Sequence, residues 1–441
     1  MIYNRCGMKN KTATAGIYTL GCRVNQYESQ AFTEKLAEHG IEVRSFEEKN
    51  DIYIINTCTV TAESDRKSRQ IIRRAAQLSP RAYIIAVGCM AESGAEALKS
   101  LTGVDIICGN AAKLKAVDAA LELLHKGVKN NIPVVLGESM LNQGAVFEPM
   151  SISRFNRTRA YVKIQDGCSG KCSYCIIPSV RGKSRSKRPE DVYTEVEKLC
   201  ENGCREVVLT GIETSDYSYG LVELTAKLNK IPRLERIRFG SLDPSFMKPE
   251  TVKQLSLIDK IMPHFHLSIQ SGSDRILNLM RRRYTVETVY SSVAAIRQNF
   301  PDAMITTDLI AGFPGEIEAD AEMTASLIKE LRLLHSHIFT YSKRSGTPAA
   351  VMKNQIPHQI KKQRAEYLER IQRETKTEIL EAQTGKEFKV LVETKKNGFL
   401  YGHSENFIEI SAKSDRDICG EFAKIKAERA NNGILCGTII N

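Results

Sequence analysis

Between about residue 15 and residue 125, short apolar runs rich in β-branched residues alternate with stretches whose apolar positions recur every three or four residues. GIYTL precedes QYESQAFTEKLAEHG, DIYIIN precedes ESDRKSRQIIRRAAQ, AYIIAV precedes AESGAEALKS, and VDIIC precedes AAKLKAVDAALELLHK. This alternation predicts βαβ units around a buried parallel sheet of the Rossmann or flavodoxin-like kind. The stretch GVKNNIPVVLGESMLNQGAVFEPMSISRFN has few periodic elements and reads as a connection. After it, RAYVKIQ, EVVLTG, RIRFGS, HFHLSIQ, MITTDLIAGF and HSHIFTYS are strand candidates, with helical patterns such as PEDVYTEVEKLCENG and VETVYSSVAAIRQNF between them. Six β/α repeats predict a partial parallel barrel, too few to close as eight do, with its working face at the strand carboxyl ends. A long basic helix follows. From about Gly385 the chain breaks into short strands, EFKVLVETK, FLYGHSE, FIEISA and GILCGTII, the signal of a small OB-like β-barrel. The expected architecture is α/β, with domains at 13–128, 154–380 and 383–441.

Composition narrows the function classes. The 441 residues are 42% hydrophobic and 26% charged, as in a soluble globular protein. Lys plus Arg at 63 against Asp plus Glu at 52 gives a net charge of +11, compatible with a polyanionic partner. No window is long and apolar enough to span a bilayer, and MIYNRCGMKNKTATAG lacks the apolar core and cleavage site of a secretory signal. A cytoplasmic address without a membrane partner is therefore expected. There the twelve cysteines would stay reduced, which favours metal binding or burial over disulfides.

In GCSGKCSYCIIP, Cys168, Cys172 and Cys175 offer three thiolates and no fourth. Three soft ligands on one loop suit a cubane iron–sulfur cluster with one iron left open. An open iron can chelate the amino acid end of S-adenosylmethionine and pass an electron into its sulfonium, releasing a 5′-deoxyadenosyl radical. The rival readings are a three-ligand zinc site or a chance spacing, but zinc sites usually show CxxC pairs or nearby histidines, and no His falls in this loop. The CxxxCxxC loop resembles that of the radical S-adenosylmethionine superfamily. No GxSxG, HExxH or Walker loop points to other chemistry.

Three further thiols fall at one kind of place. Cys22 in TLGC, Cys58 in INTC and Cys89 in VGC each follow the carboxyl end of a predicted strand, the edge where open α/β sheets build their binding crevice. The pattern suggests a second three-cysteine cluster, against the alternative of small buried hydrophobes. By position alone Cys108, in VDIICGN, is a possible fourth ligand. Cys6, Cys200, Cys204, Cys419 and Cys436 show no such convergence. In the last segment Lys389 and its neighbouring lysines mingle with Phe399 and other aromatics, a mixture suited to phosphate contacts and base stacking.

With all three segments in view, the chain resembles the methylthiotransferases, through TLGCRVNQYES, INTCTVTAESDRKSRQ, QDGCSGKCSYCIIP, HLSIQSGSD followed by MRRRYT, TTDLIAGFPGE and YSKRSGTPA. The resemblance covers nearly the whole chain. It implies two 4Fe-4S clusters, an auxiliary one on Cys22, Cys58 and Cys89 and a radical one on Cys168, Cys172 and Cys175, with S-adenosylmethionine as cofactor and a terminal RNA-binding barrel called TRAM. Cys108 matches no ligand position of the family. The first two motifs are most similar to the branch that methylthiolates threonylcarbamoyladenosine beside the tRNA anticodon. The implied partners are the anticodon stem-loop of tRNA, an electron-donor protein and a sulfur source. Alternatives are the same reaction on isopentenyladenosine or on a ribosomal protein, and, from another class, a non-catalytic iron–sulfur RNA-binding redox sensor.

Further candidates belong to the carboxyl-end face of the predicted barrel. Tyr174 is placed to border the adenine of S-adenosylmethionine, Gly211 permits close backbone approach, and Glu213, Ser241, Gln270 and Asp308 are candidates for its hydroxyl, amino and carboxylate groups. Each polar residue has the alternative of capping a helix or bracing the barrel. Asn25 faces either the auxiliary cluster or a helix start. The basic runs RGKSRSKR, with Arg181 and Arg185, and MRRRYT, with Arg281, Arg282 and Arg283, are expected to clamp RNA phosphates, the alternative being a solvated charged face.

Overall fold

In the computed structural model the amino-terminal apolar runs become six parallel strands, β1 Thr14–Thr19, β2 Glu42–Arg44, β3 Ile52–Thr57, β4 Tyr83–Gly88, β5 Val104–Cys108 and β6 Val134–Leu136, ordered β2-β1-β3-β4-β5-β6. The structure describes residues 12–129, 132–137, 140, 146–155 and 158–440, so Cys6 lies outside the described residues. Every residue of β3 and β4 is buried, which is why those strands read as unbroken apolar runs rather than alternating ones. The edge strands β2 and β6 were not anticipated; each has three half-buried or exposed residues and so no strong pattern. Helices Arg23–Glu38, Ala62–Leu78 and Lys113–Lys126 fill the expected gaps, while AESGAEALKS yields two short helices, Cys89–Ser93 and Ala95–Lys99, broken at Gly94. Tyr53, Ile55, Ile72, Ile84, Leu98 and Ile107 form the core on one side of the sheet. Each buried aliphatic side chain contributes about 1.5–3 kcal/mol.

The chain divides into two compact units, Met1–Ile152 with Ser179–Gly182, and Ser153–Pro178 with Lys183–Asn441. The second unit holds β7 Ala160–Lys163, β8 Gln165–Asp166, β9 Arg185–Ser186, β10 Glu206–Thr210, β11 Arg236–Phe239, β12 Ser241–Leu242, β13 His264–Gln270, β14 Met304–Ala311 and β15 His335–Thr340. All six expected strands are present and parallel to their neighbours, in two hydrogen-bonded sheets, β11-β10-β7 and β12-β13-β14-β15. The short β8 and β9 pair with each other, antiparallel.

Helix His358–Glu381 leads into β16 Glu387–Lys396, β17 Phe399–His403, β18 Glu409–Lys413, β19 Phe422–Asn431 and β20 Ile434–Ile439, a closed barrel ordered β16-β17-β18-β20-β19. Strand β19 was missed because buried Ala423, Ile425 and Ala427 alternate with Lys424, Lys426 and Glu428, an alanine-rich charged run with weak strand propensity. This barrel is joined to the parallel sheets by a buried charge network. Glu206 lies 3.0 Å from Arg159 and Arg238 and 3.4 Å from Arg236. Arg238 donates to the carbonyls of Ser404 at 2.7 Å and Glu405 at 2.8 Å. Burial alone would raise the Glu206 pKa, but the guanidiniums of Arg238, Arg159 and Arg236 outweigh it and hold the carboxyl at about 2. Phe407 is stacked between His264 at 4.3 Å and His403 at 4.4 Å.

Candidate iron–sulfur and cofactor sites

In the first unit, the strand ends bring the three separated cysteines together. Thr57 of β3 is in register with Gly88 of β4, so Cys58 and Cys89 follow directly on paired residues of adjacent strands. On the other side, Thr19 of β1 is in register with Asn56 of β3, and Cys22 lies just beyond it as the N-cap of helix Arg23–Glu38. Local hydrogen bonds fix the turns. The Thr57 hydroxyl donates to the Val87 carbonyl at 2.7 Å and accepts from the Met90 N–H at 3.1 Å, which pins the helix that begins at Cys89. Gly88, at φ 97, and Gly21, at φ 96, take conformations open mainly to glycine. A Cβ at Gly21 would sit 2.9 Å from Cys58 Cβ and 3.0 Å from its Sγ. Burial first, then proximity to Cys89 and Cys22, pushes the Cys58 thiol up to about 11.

Asn25 is not the helix cap. Its side chain donates to the carbonyls of Leu20 at 2.7 Å and Thr57 at 3.0 Å, tying the ends of β1 and β3, and its Oδ1 stands 4.0 Å from Cys22 Sγ. Cys108 is buried with its thiol donating to the Ala112 carbonyl at 3.3 Å, a structural position.

In the second unit, CxxxCxxC forms the loop after β8. A Cβ at Gly170 would lie 3.1 Å from Cys168 Sγ and 3.9 Å from Cys172 Sγ, so the two sulfurs converge on one side of the loop. The Gly170 N–H donates to Cys168 Sγ at 3.3 Å, and Arg282 donates to Cys172 Sγ at 3.3 Å. Burial pushes Cys168 up to about 11 and Cys175 up to about 12, with neighbouring thiols adding to both. Thiols gathered under burial resist ionisation until a metal centre takes their protons' place. Among the described residues no three His, Cys, Asp or Glu side chains gather around one point as a single ion would require. A cubane gives each thiolate its own iron and takes N–H donors to its sulfurs, and Cys168 and Cys172, each with such a donor, fit that group.

Beside Cys168 and Cys172 opens a cavity of about 510 Å³, lined also by Glu213, Asp216, Asp243 and Arg281–Arg283. Its volume suits a ligand the size of a nucleoside with an amino acid arm. Burial pushes Glu213 up to about 7; the Ser215 hydroxyl donates to it and opposes the shift, and Asp243 adds to it. The sequence reading missed Asp216, Asp243 and Gln165. Gln165 Oε1 accepts from the N–H groups of Ile212 and Glu213 at 2.9 and 3.0 Å, and its Nε2 donates to the Gly167 carbonyl at 2.7 Å, clamping the cysteine loop to the end of β10. Its place one residue before DGC was the only signal.

Several expected site residues lie elsewhere. Tyr174 packs edge-on against Phe313, their centroids 6.4 Å apart. The close approach at Gly211 is that of Gln165, whose Oε1 is 2.7 Å from where a Cβ would stand. Ser241 opens β12, Gln270 closes β13 at φ 70, and Asp308 on β14 lies 3.4 Å from His266. None of these five lines the cavity beside Cys168.

The phosphate-clamp expectation is corrected at two residues. Arg181 is 1% and Arg185 5% exposed, and both are engaged inside the protein: Arg185 with Asp166 at 2.8 Å, Arg181 with Glu28 at 3.2 Å. Their partners are distant in sequence, so the basic run looked solvated. Arg281 and Arg283 are exposed at the cavity, whereas Arg282 turns inward to Cys172. Lys389 is exposed, paired with Glu235 at 2.8 Å, and Phe399 is 42% exposed.

Residues 162–328 match the Radical SAM superfamily and residues 14–109 match Uncharacterized protein family UPF0004. The threonylcarbamoyladenosine tRNA methylthiotransferase MtaB of Bacillus subtilis is 36% identical, over 95% of this chain and 94% of its own. That of Aquifex aeolicus is 39% identical, over 91% and 97%. The tRNA-2-methylthio-N(6)-dimethylallyladenosine synthase of Moorella thermoacetica is 34% identical, over 97% and 98%. Among solved structures, the radical S-adenosylmethionine methyltransferase TsrM of Kitasatospora setae shares the fold, with a TM-score of 0.54 at 15% identity over 77% of each chain.

Proposed function

This chain belongs to the radical S-adenosylmethionine methylthiotransferases, in the MtaB branch, and from that premise we propose that it converts N6-threonylcarbamoyladenosine next to the tRNA anticodon to its 2-methylthio derivative. The observation that supports this most is the pair of thiol triads, one at the strand ends of the first unit and one bordering a polar cavity in the second. Cys168, Cys172 and Cys175 would hold a radical 4Fe-4S cluster, and Cys22, Cys58 and Cys89 an auxiliary one. When bound, the first supplies the electron that cleaves S-adenosylmethionine to methionine and a 5′-deoxyadenosyl radical, and the second holds the sulfur to be transferred.

The chain's own residues bind and orient. Glu213, Asp216 and Asp243 offer carboxylates to a ligand that carries an ammonium and a sulfonium. Gln165 keeps the cysteine loop registered with β10, so the cavity wall and the thiols move as one. Residues 13–128, 154–380 and 383–441 would act as auxiliary-cluster, radical and TRAM domains, the last gripping RNA through Lys389 and Phe399. Tyr174, Gly211, Ser241, Gln270 and Asp308, which do not line the cavity beside Cys168, remain proposed contacts only for a part of the ligand that extends beyond it. No helix among the described residues is long and apolar enough to cross a membrane. The reading places the reaction in the cytoplasm, with an electron-donor protein and a sulfur source as further partners.

Anaerobic incubation of iron-reconstituted protein with unmodified-at-C2 tRNA, dithionite and S-adenosylmethionine tests this. Nucleoside mass analysis is expected to show 2-methylthio-N6-threonylcarbamoyladenosine together with 5′-deoxyadenosine, and both fall to background when Cys168, Cys172 and Cys175 are replaced by Ala. Undiminished 5′-deoxyadenosine from the triple variant would overturn the radical site. Product formed only on isopentenyladenosine would overturn the acceptor.

A further inference from the structure

Arg181 is a fully buried cation beside the first thiol triad, and its partners explain its position. Its Nε donates to Cys89 Sγ at 3.3 Å, one Nη donates to Glu28 at 3.2 Å, and the other donates to Asn25 Oδ1. Glu28 also receives Lys113, and all four side chains are at most 1% exposed. Through Asn25, which holds the carbonyls of Leu20 and Thr57, the guanidinium is connected to the turns that lead into Cys22 and Cys58. One side chain thus reaches all three cysteine-bearing turns. It does so because a planar guanidinium serves several acceptors in fixed directions, which an ammonium on a flexible stem does not.

Burying cations and a carboxylate together costs several kcal/mol of desolvation, and apolar packing of similar volume is often as stable. Such a network is better explained by the sulfur it addresses. An N–H donor and a nearby positive charge stabilise the reduced, more negative form of an iron–sulfur cluster and raise its potential.

We propose that Arg181 is a positioning residue of the auxiliary cluster, orienting Cys89 as a ligand and holding the cluster at a higher potential than the thiolates alone would set. The inference rests on the auxiliary-cluster reading above. It is tested in the full-length chain with Cys168, Cys172 and Cys175 replaced by Ala, so that only the auxiliary site takes up iron. Iron and sulfide per chain and a redox titration followed by electron paramagnetic resonance are compared for this protein and for its Arg181→Gln and Arg181→Lys forms. Arg181→Gln is expected to shift the midpoint to a more negative value, and Arg181→Lys, which keeps the charge but not the fork, to fall between. Should the Gln form fail to fold or load iron, the Lys form alone decides: a midpoint equal to that of the arginine protein would overturn the role. Failure of the arginine-containing chain itself to bind iron would instead overturn the auxiliary cluster, and the proposal with it.

Discussion

Glu206 shows how single residues hold the second unit together. With its carboxyl held at about 2 against an ordinary 4.5, its ionised form is favoured by folding. That stabilisation is fully present above pH 4.5 and is lost as the pH falls toward 2. Replacing Glu206 by Gln leaves Arg159, Arg236 and Arg238 without their shared buried counter-charge, a change expected to cost about 3–5 kcal/mol near neutral pH. Denaturant unfolding at pH 7 and near pH 2 checks this: the difference between the two proteins should be large at the first and small at the second. The residue scale is also where sequence reading failed most plainly. RGKSRSKR looked like a solvated phosphate track, yet Arg181, Arg185 and Lys187 are buried against Glu28, Asp166 and Glu195. Nothing local to the run encodes those partners; Glu28 and Arg181 meet only because the fold brings them together.

At the scale of elements, the strand ends position the chemistry. The position of Cys58 and Cys89 at neighbouring strand ends was legible because each follows an apolar run that could only be a buried strand, and parallel strands align their carboxyl ends. That of Cys22 was legible for the same reason. The glycines before Cys22 and Cys89 matter equally, since the chain enters each cysteine at a positive φ that is open mainly to glycine. Gly21→Ala places a methyl against Cys58 and is expected to reduce bound iron to roughly half, by loss of one cluster of two. Cleavage of S-adenosylmethionine at the Cys168 loop should persist. Iron analysis beside a 5′-deoxyadenosine assay distinguishes this from general misfolding, which would abolish both. Strands β2, β6 and β19 were not legible, because short edges and charged alternation give hydrophobic periodicity little to register.

For the whole molecule, a net charge of +11 predicts that binding of RNA would fall steeply with salt. If exposed Arg281 and Arg283 each neutralise a phosphate, replacing both by Ala should weaken binding of an anticodon stem-loop and reduce the slope of log affinity against log salt by about 2. An unchanged slope in a fluorescence titration would remove these arginines from the RNA path. Arg185→Ala, by contrast, should alter stability rather than slope, because that cation is buried on Asp166. The periodicities and the CxxxCxxC spacing by themselves determined the parallel sheet, the β/α repeats, the small barrel and the class of chemistry, since these depend on residue type and on short-range order along the chain. Tertiary structure alone decided which charges face solvent, that Gln165 fastens the cysteine loop, that Asp216 and Asp243 join Glu213 at the cavity, and that Arg181 addresses a sulfur. Those outcomes depend on contacts between residues far apart in the chain, and desolvation, which no linear pattern records, sets the energy of each.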